Sequence, residues 1–154
     1  MRLTPTASAL FFVAVLAGCG SKASTTHSRT TPRPVPVIVS DATFRVNLAG
    51  KNEVPAGAPN GSAVAVISIH GKQAQLCWKF SALKHVTAPL VAHIHADPAG
   101  KSGPIVLPLG NRFSAAGCTG ATRTLLATIE KTPRLYYVNV HNRRYPGGAV
   151  RAQL

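Results

Sequence analysis

Acidic residues are nearly missing from this 154-residue chain. Four Asp and Glu stand against 17 Lys and Arg, giving a formal charge of +13. Catalysis by paired carboxylates needs two acids in one place. Here Glu53 has only Asp97 and Glu130 as distant partners, so that chemistry is disfavoured. No Gly-x-Ser-x-Gly elbow is present, and neither Cys77 nor Cys118 neighbours a histidine in sequence, which removes the usual signs of an activated nucleophile. Aromatics make up 6% of the chain and do not interleave with its basic residues, so single-strand nucleic-acid binding is a poor fit.

Long apolar runs are also scarce. The longest, Ala7 to Ala17, follows the positive Arg2 and is too short to span a bilayer permanently. It ends in Leu16-Ala17-Gly18-Cys19, which resembles a bacterial lipobox. That resemblance implies cleavage before Cys19 and a diacylglycerol on its thiol. Residues 1–18 are therefore expected to be a lipoprotein signal peptide, and the mature chain to sit lipid-anchored on the extracytoplasmic face of the cell membrane. Residues 19–40 (CGSKASTTHSRTTPRPVPVIVS) carry only positive charge and are rich in Ser, Thr and Pro. Such a composition predicts a disordered, partly polyproline tether. Residues 41–154 form the single domain. Without Arg2, Lys22, Arg29 and Arg33 it keeps a charge of +9, suited to anionic wall polymers or lipid headgroups in a salt-dependent way.

Three cysteines divide into one and two. With Cys19 lipidated, Cys77 and Cys118 remain. In QAQLCWKF, Ala74, Leu76, Trp78 and Phe80 are expected to share the apolar face of a strand, with Cys77 opposite beside Gln75 and Lys79. A thiol there, in an oxidising compartment, is expected to pair with Cys118 in the loop AAGCTG. Closing that loop would contribute about 4 kcal/mol on the chain-entropy model. Two free thiols are the alternative.

The domain reads as all-β. Strands are expected at Thr43–Ala49, Ser62–His70, Gln73–Phe80, Val91–Ala96, Ile105–Leu109, Arg134–His141 and Ala149–Leu154, with a hairpin turn at Gly71-Lys72. Thr122–Lys131 has helical spacing and stops before Pro133. Short strands separated by turns favour an antiparallel, Greek-key-like β-sandwich with one short helix.

Histidine is the conspicuous residue. His93 and His95 flank Ile94 and would leave one face of a strand together. In RLYYVNVH, His141 shares a face with Asn139, Tyr137 and Leu135. Three imidazoles from two strands could hold copper or zinc, with Asp97 or Asn139 as a fourth ligand or supporting group. The HxH strand followed by a glycine-rich loop is similar to the copper-ligand strand of Cu/Zn superoxide dismutase. The redox reading is the weaker form of the metal reading, because His70 and His85 are poorly placed for a second metal. The competing reading is structural, with imidazoles bonding loop carbonyls. Glu53, in KNEVP, is expected to pair with an arginine, Arg151 being the candidate. Asn142-Arg143-Arg144-Tyr145 is a candidate contact loop for an anionic partner, with a solvated turn as its plain alternative.

FRVNLAGKNEVP (44–55), Gly61, AHIHADPAGKSGPIV (92–106), LYYVNVHN (135–142) and PGGAVRAQL (146–154) together resemble the CHRD domain, the chordin-type family. The order of these pieces follows the family over about 42–154. Ala96-Asp97, Asn142 and Ala149 depart from its pattern, and the last removes an acid that could partner Arg151. The resemblance implies an antiparallel β-sandwich and an extracellular interaction module, hence a non-catalytic binder of a protein or anionic envelope partner.

Overall fold

In a computed structural model, residues 36–154 are described; the expected signal peptide, Cys19 and most of the expected tether lie outside them. Eight strands carry the domain: β1 (Ala42–Ala49), β2 (Ser62–His70), β3 (Gln75–Lys84), β4 (Pro89–Ala96), β5 (Ile105–Pro108), β6 (Ala116–Gly120), β7 (Tyr136–Asn142) and β8 (Val150–Gln153). One helix, α1 (Arg123–Lys131), precedes β7. No helix among the described residues is long and apolar enough to cross a membrane.

All seven strand pairings are antiparallel, and they run in the order β5-β4-β7-β8-β1-β2-β3-β6. The expected sandwich is thus one curled sheet. Its halves, β5-β4-β7-β8 and β1-β2-β3-β6, join through the single pair Ala49–Arg151. The segment between β5 and β6 closes the other side. Phe113 N donates to Leu90 O of β4, and Phe80 N of β3 donates to Ala115 O.

Alternation decides what the curl encloses. In β2 and β3 every second side chain points inward, so Ala63, Ala65, Ile67, Ile69, Leu76, Trp78 and Phe80 are buried. Ala92 and Ile94 of β4, Val138 and Val140 of β7, and Val150 and Ala152 of β8 face them across one core. The helix begins where Thr122 caps it, its side chain accepting from Leu125 N at 3.2 Å. It buries Leu126, Ala127 and Ile129 and stops before Pro133. Arg123 ties α1 to the β2–β3 turn by donating to the carbonyls of Gly71 and Lys72.

Three local expectations are corrected. The β2–β3 turn takes four residues, 71–74, with Ala74 in the left-handed region at φ 52°, so β3 begins at Gln75. Arg134 and Leu135 belong to a 3₁₀ turn ahead of β7, since Pro133 cannot supply a ladder N–H. Cys118 sits in β6, not in a loop. Small residues hide that strand: a Cβ on Gly117 would lie 2.5 Å from the Trp78 ring, so close packing selects glycine over a β-former. Cys77 and Cys118 are directly paired across β3 and β6, and they form the expected disulfide with Cα atoms 3.9 Å apart.

Candidate metal centre

With Ala92, Ile94, Val138 and Val140 committed to the core, alternation sends His93, His95, Tyr137, Asn139 and His141 to the other face of β4 and β7. Arg151 of β8 joins them, opposite Asn139 in register. The outer face of an antiparallel sheet is ordinarily solvated. This one is buried: Tyr137, Asn139 and Arg151 are each 2% exposed or less, and His95 and His141 below 9%. Loops cover it. The β4–β5 loop supplies the carbonyls of Lys101 and Gly103, the β7–β8 loop supplies that of Pro146, and the segment after β1 brings in Glu53.

The register brings the three histidines together. His93 pairs with Asn139, His95 with Tyr137 and Val91 with His141, so the rings meet across one strand pair. One ring nitrogen from each lies within 4.8 Å of the others. His93 Nδ1 is 3.1 Å from His141 Nε2. Nitrogens on one tetrahedral zinc stand roughly 3.3 Å apart at the usual bond lengths. The His93–His141 pair already has that spacing, and His95 needs a shift of about 1–1.5 Å to join it.

Backbone carbonyls fix two tautomers. His95 Nδ1 donates to Gly103 O at 2.9 Å, and His141 Nδ1 donates to Pro146 O at 2.9 Å. In a neutral imidazole this leaves Nε2 as a lone pair. His95 Nε2 is buried and has no hydrogen-bond partner. His141 Nε2 is faced by His93 Nδ1 and, at 2.9 Å, by Asn139 Oδ1. Asn139 Nδ2, which could donate, is buried and unpartnered. His93 Nδ1–H can donate to His141 Nε2, so the Nε2 of His95 is the buried ring nitrogen left without a donor.

Charge is kept away from the three rings. Burial lowers the pKa of His93 to about 4, helped by its two histidine neighbours. Burial also lowers that of His95, against the carbonyl of Gly103, and that of His141, against the carbonyl of Pro146. All three rings are neutral at neutral pH, the protonation state in which imidazole binds metal.

A second layer holds the first. The His95 ring stacks on Tyr137, centroids 4.7 Å apart at 9°, and the Arg151 guanidinium carbon lies 3.7 Å from the centroid of the Tyr137 ring. Tyr137 Oη accepts from Gly103 N at 3.2 Å, bracing the residue whose carbonyl orients His95. Gly103 has to be glycine, because a Cβ would collide with the Ala96 carbonyl.

Glu53 and Arg151 share this face but do not form the expected pair. Arg151 Nη1 donates to Lys101 O at 2.7 Å, while Arg151 Nη2 and Glu53 Oε1 have no partner. Burial raises the Glu53 pKa to about 7, outweighing the attraction of Arg151 and the proximity of Asn139. Desolvation wins because the carboxyl is walled in by Gly148, whose missing Cβ leaves just enough room. Asp97 does not join the histidine group. Its carbonyl instead accepts from Gln153 Nε2 at 2.8 Å. Asn139 is a supporting residue by position, touching His141.

Sequence reasoning found the three histidines and missed their surroundings. The stack under His95 and the buried Glu53 depend on which loops fold over the sheet. The one available signal was Arg151 at an alternate position of a terminal strand.

These features define a curled antiparallel β domain with a buried, histidine-bearing polar face. Residues 44–154 match the family model of the CHRD domain, and the chain belongs to that family. No curated protein and no solved structure matches it significantly.

Proposed function

We propose that this CHRD domain is a non-catalytic binding module whose ligand is a borderline transition metal ion, copper or zinc, held by His93, His95 and His141. The observation that carries this reading is the buried, unpartnered Nε2 of His95, aimed into a group whose other nitrogens lie within 4.8 Å. A buried lone pair without a donor is costly, and a cation satisfies it. The carbonyl bonds to His95 and His141 are the kind of outer support that orients metal-binding imidazoles. Purely structural histidines would account for those two bonds and for the His93–His141 contact, but not for the unpartnered Nε2 of His95.

The test uses the full chain, stripped with chelator and titrated with Cu(II) and Zn(II) by calorimetry, with bound metal counted by elemental analysis. One equivalent per chain is expected, and His141→Gln should remove it. Wild-type protein that binds neither ion in stoichiometric amount would end the reading.

The lipobox-like Leu16-Ala17-Gly18-Cys19 supports a second part of the proposal, a lipid anchor on the extracytoplasmic face. Partition of the chain into detergent phase, lost in Cys19→Ala, checks it.

A further inference from the structure

At the end of the sheet where β3, β7 and the β1–β2 loop terminate, three loops enclose a cleft of about 400 Å³. The β7–β8 loop supplies Arg143 and Arg144, the β3–β4 loop His85 and Thr87, and the β1–β2 loop Pro59 and Asn60. This cleft does not include the three clustered histidines.

Its floor is built. Asn142 is 5% exposed, and its side chain spans two of the loops: Nδ2 donates to Thr87 O at 3.0 Å, and Oδ1 accepts from Tyr145 N at 2.8 Å. The β3–β4 loop also holds His85 and Ala88 in left-handed backbone, φ 54° and 45°. Histidine tolerates that region, but alanine costs about 1–2 kcal/mol there. Strain of this kind persists where surrounding contacts fix a shape, and it gathers at binding sites.

The charge in the cleft is uncompensated. Arg143 and Arg144 are exposed, with Arg144 resting 5.7 Å from the Tyr145 ring centroid. Every acid of the chain is engaged or distant. Asp41 accepts from Gly71 N and Glu130 from Ser40 N at the opposite end of β1, Asp97 lies beyond the far end of β4, and Glu53 is buried. Arginine forks without a protein carboxylate are suited to oxyanions, which they grip through paired N–H bonds.

The chain enters the domain at Asp41, beside Gly71, and β1 then runs its whole length before reaching the cleft end. Eight extended residues span roughly 26 Å. The cleft therefore lies at the end of the domain away from Asp41, where the chain enters it.

We propose that the three-loop cleft binds an oxyanion, phosphate or carboxylate, through Arg143 and Arg144, with His85 and Thr87 as hydrogen-bonding walls. This site is independent of the metal centre and stands whether or not that centre binds an ion.

The full chain in non-ionic detergent, titrated with polyphosphate and with polyglutamate, tests it. Salt-sensitive binding is expected, weakened about tenfold or more by Arg143→Ala/Arg144→Ala. Lys72→Ala/Lys79→Ala, which removes equal charge elsewhere, should change it less than about twofold. Tighter binding of polyphosphate identifies phosphate as the group recognised, and tighter binding of polyglutamate identifies carboxylate. Equal weakening by the two double variants would reduce the effect to overall charge and overturn the proposal. So would absence of binding to both polymers and to phosphatidylglycerol vesicles, while tighter binding of the vesicles than of either polymer identifies a lipid headgroup as the source of the oxyanion. Both arginines are exposed, so an unchanged melting curve certifies the variant as folded.

Discussion

His95 and Tyr137 lie ring on ring, 4.7 Å apart and within 9° of parallel, as register partners on β4 and β7. The same tyrosine hydroxyl accepts from Gly103 N, and Gly103 O accepts from His95 Nδ1. Tyrosine therefore holds histidine twice, once through its ring and once through the loop.

Tyr137→Phe separates these two supports. The stack and the overlying Arg151 guanidinium survive, while the half-buried Gly103 N–H loses its acceptor. We expect about 1–2 kcal/mol lower stability by denaturant titration. Loosening of the Gly103 carbonyl should also weaken metal binding about tenfold, at unchanged stoichiometry in calorimetry.

Gly103→Ala attacks the same loop from its backbone. The added Cβ meets the Ala96 carbonyl, so the loop must move and carry its carbonyl off His95. The expected cost is roughly 2–3 kcal/mol, with a lower melting midpoint than Tyr137→Phe. An undiminished midpoint would show that the β4–β5 loop does not need its close approach.

These two residues also mark how far the sequence could be read. Alternation in SAVAVISIH and QAQLCWKF placed β2 and, from Gln75 on, the inward residues Leu76, Trp78 and Phe80 of β3, because a half-buried strand writes its period into its side chains. It also put His93 and His95 on one face and His141 on the matching face of β7. Alternation carries no information on what covers a face. Hence the loops over the polar side of β4 and β7, and the places of Tyr137 and Arg151 beneath them, could not be read from it. Glu53 read as half of an ion pair because sequence shows sign and not desolvation. β6 was invisible because Gly117 answers to the Trp78 ring and not to strand propensity.

The disulfide lies in the half of the sheet away from the histidines, joining β3 to β6. Cys77→Ser/Cys118→Ser should therefore lower stability by about 4 kcal/mol on the chain-entropy model, read as a lower denaturant midpoint. The folded fraction should keep one metal equivalent. Loss of metal binding in a demonstrably folded double variant would mean that the two halves of the sheet are coupled.

The pH dependence of the metal-free protein pits two kinds of buried group against each other. The histidines have folded pKa values below the ordinary 6.5, with His93 at about 4. As pH falls from 6.5 toward 4 the unfolded chain takes up protons that the folded chain refuses, so stability drops. Glu53 acts the other way. Its folded pKa of about 7 exceeds the ordinary 4.5, so between those values the folded chain holds a proton that the unfolded chain has released. Its contribution is greatest at low pH and is lost as pH rises through 7. Three lowered groups against one raised group predict a net fall in stability from pH 6.5 to 4. Glu53→Gln removes the opposing contribution, and its denaturant midpoint should fall more steeply over the same interval. A variant with the slope of the parent would show that Glu53 is ionised in the folded chain at pH 5, contrary to the burial that Gly148 and the β7–β8 loop impose on it.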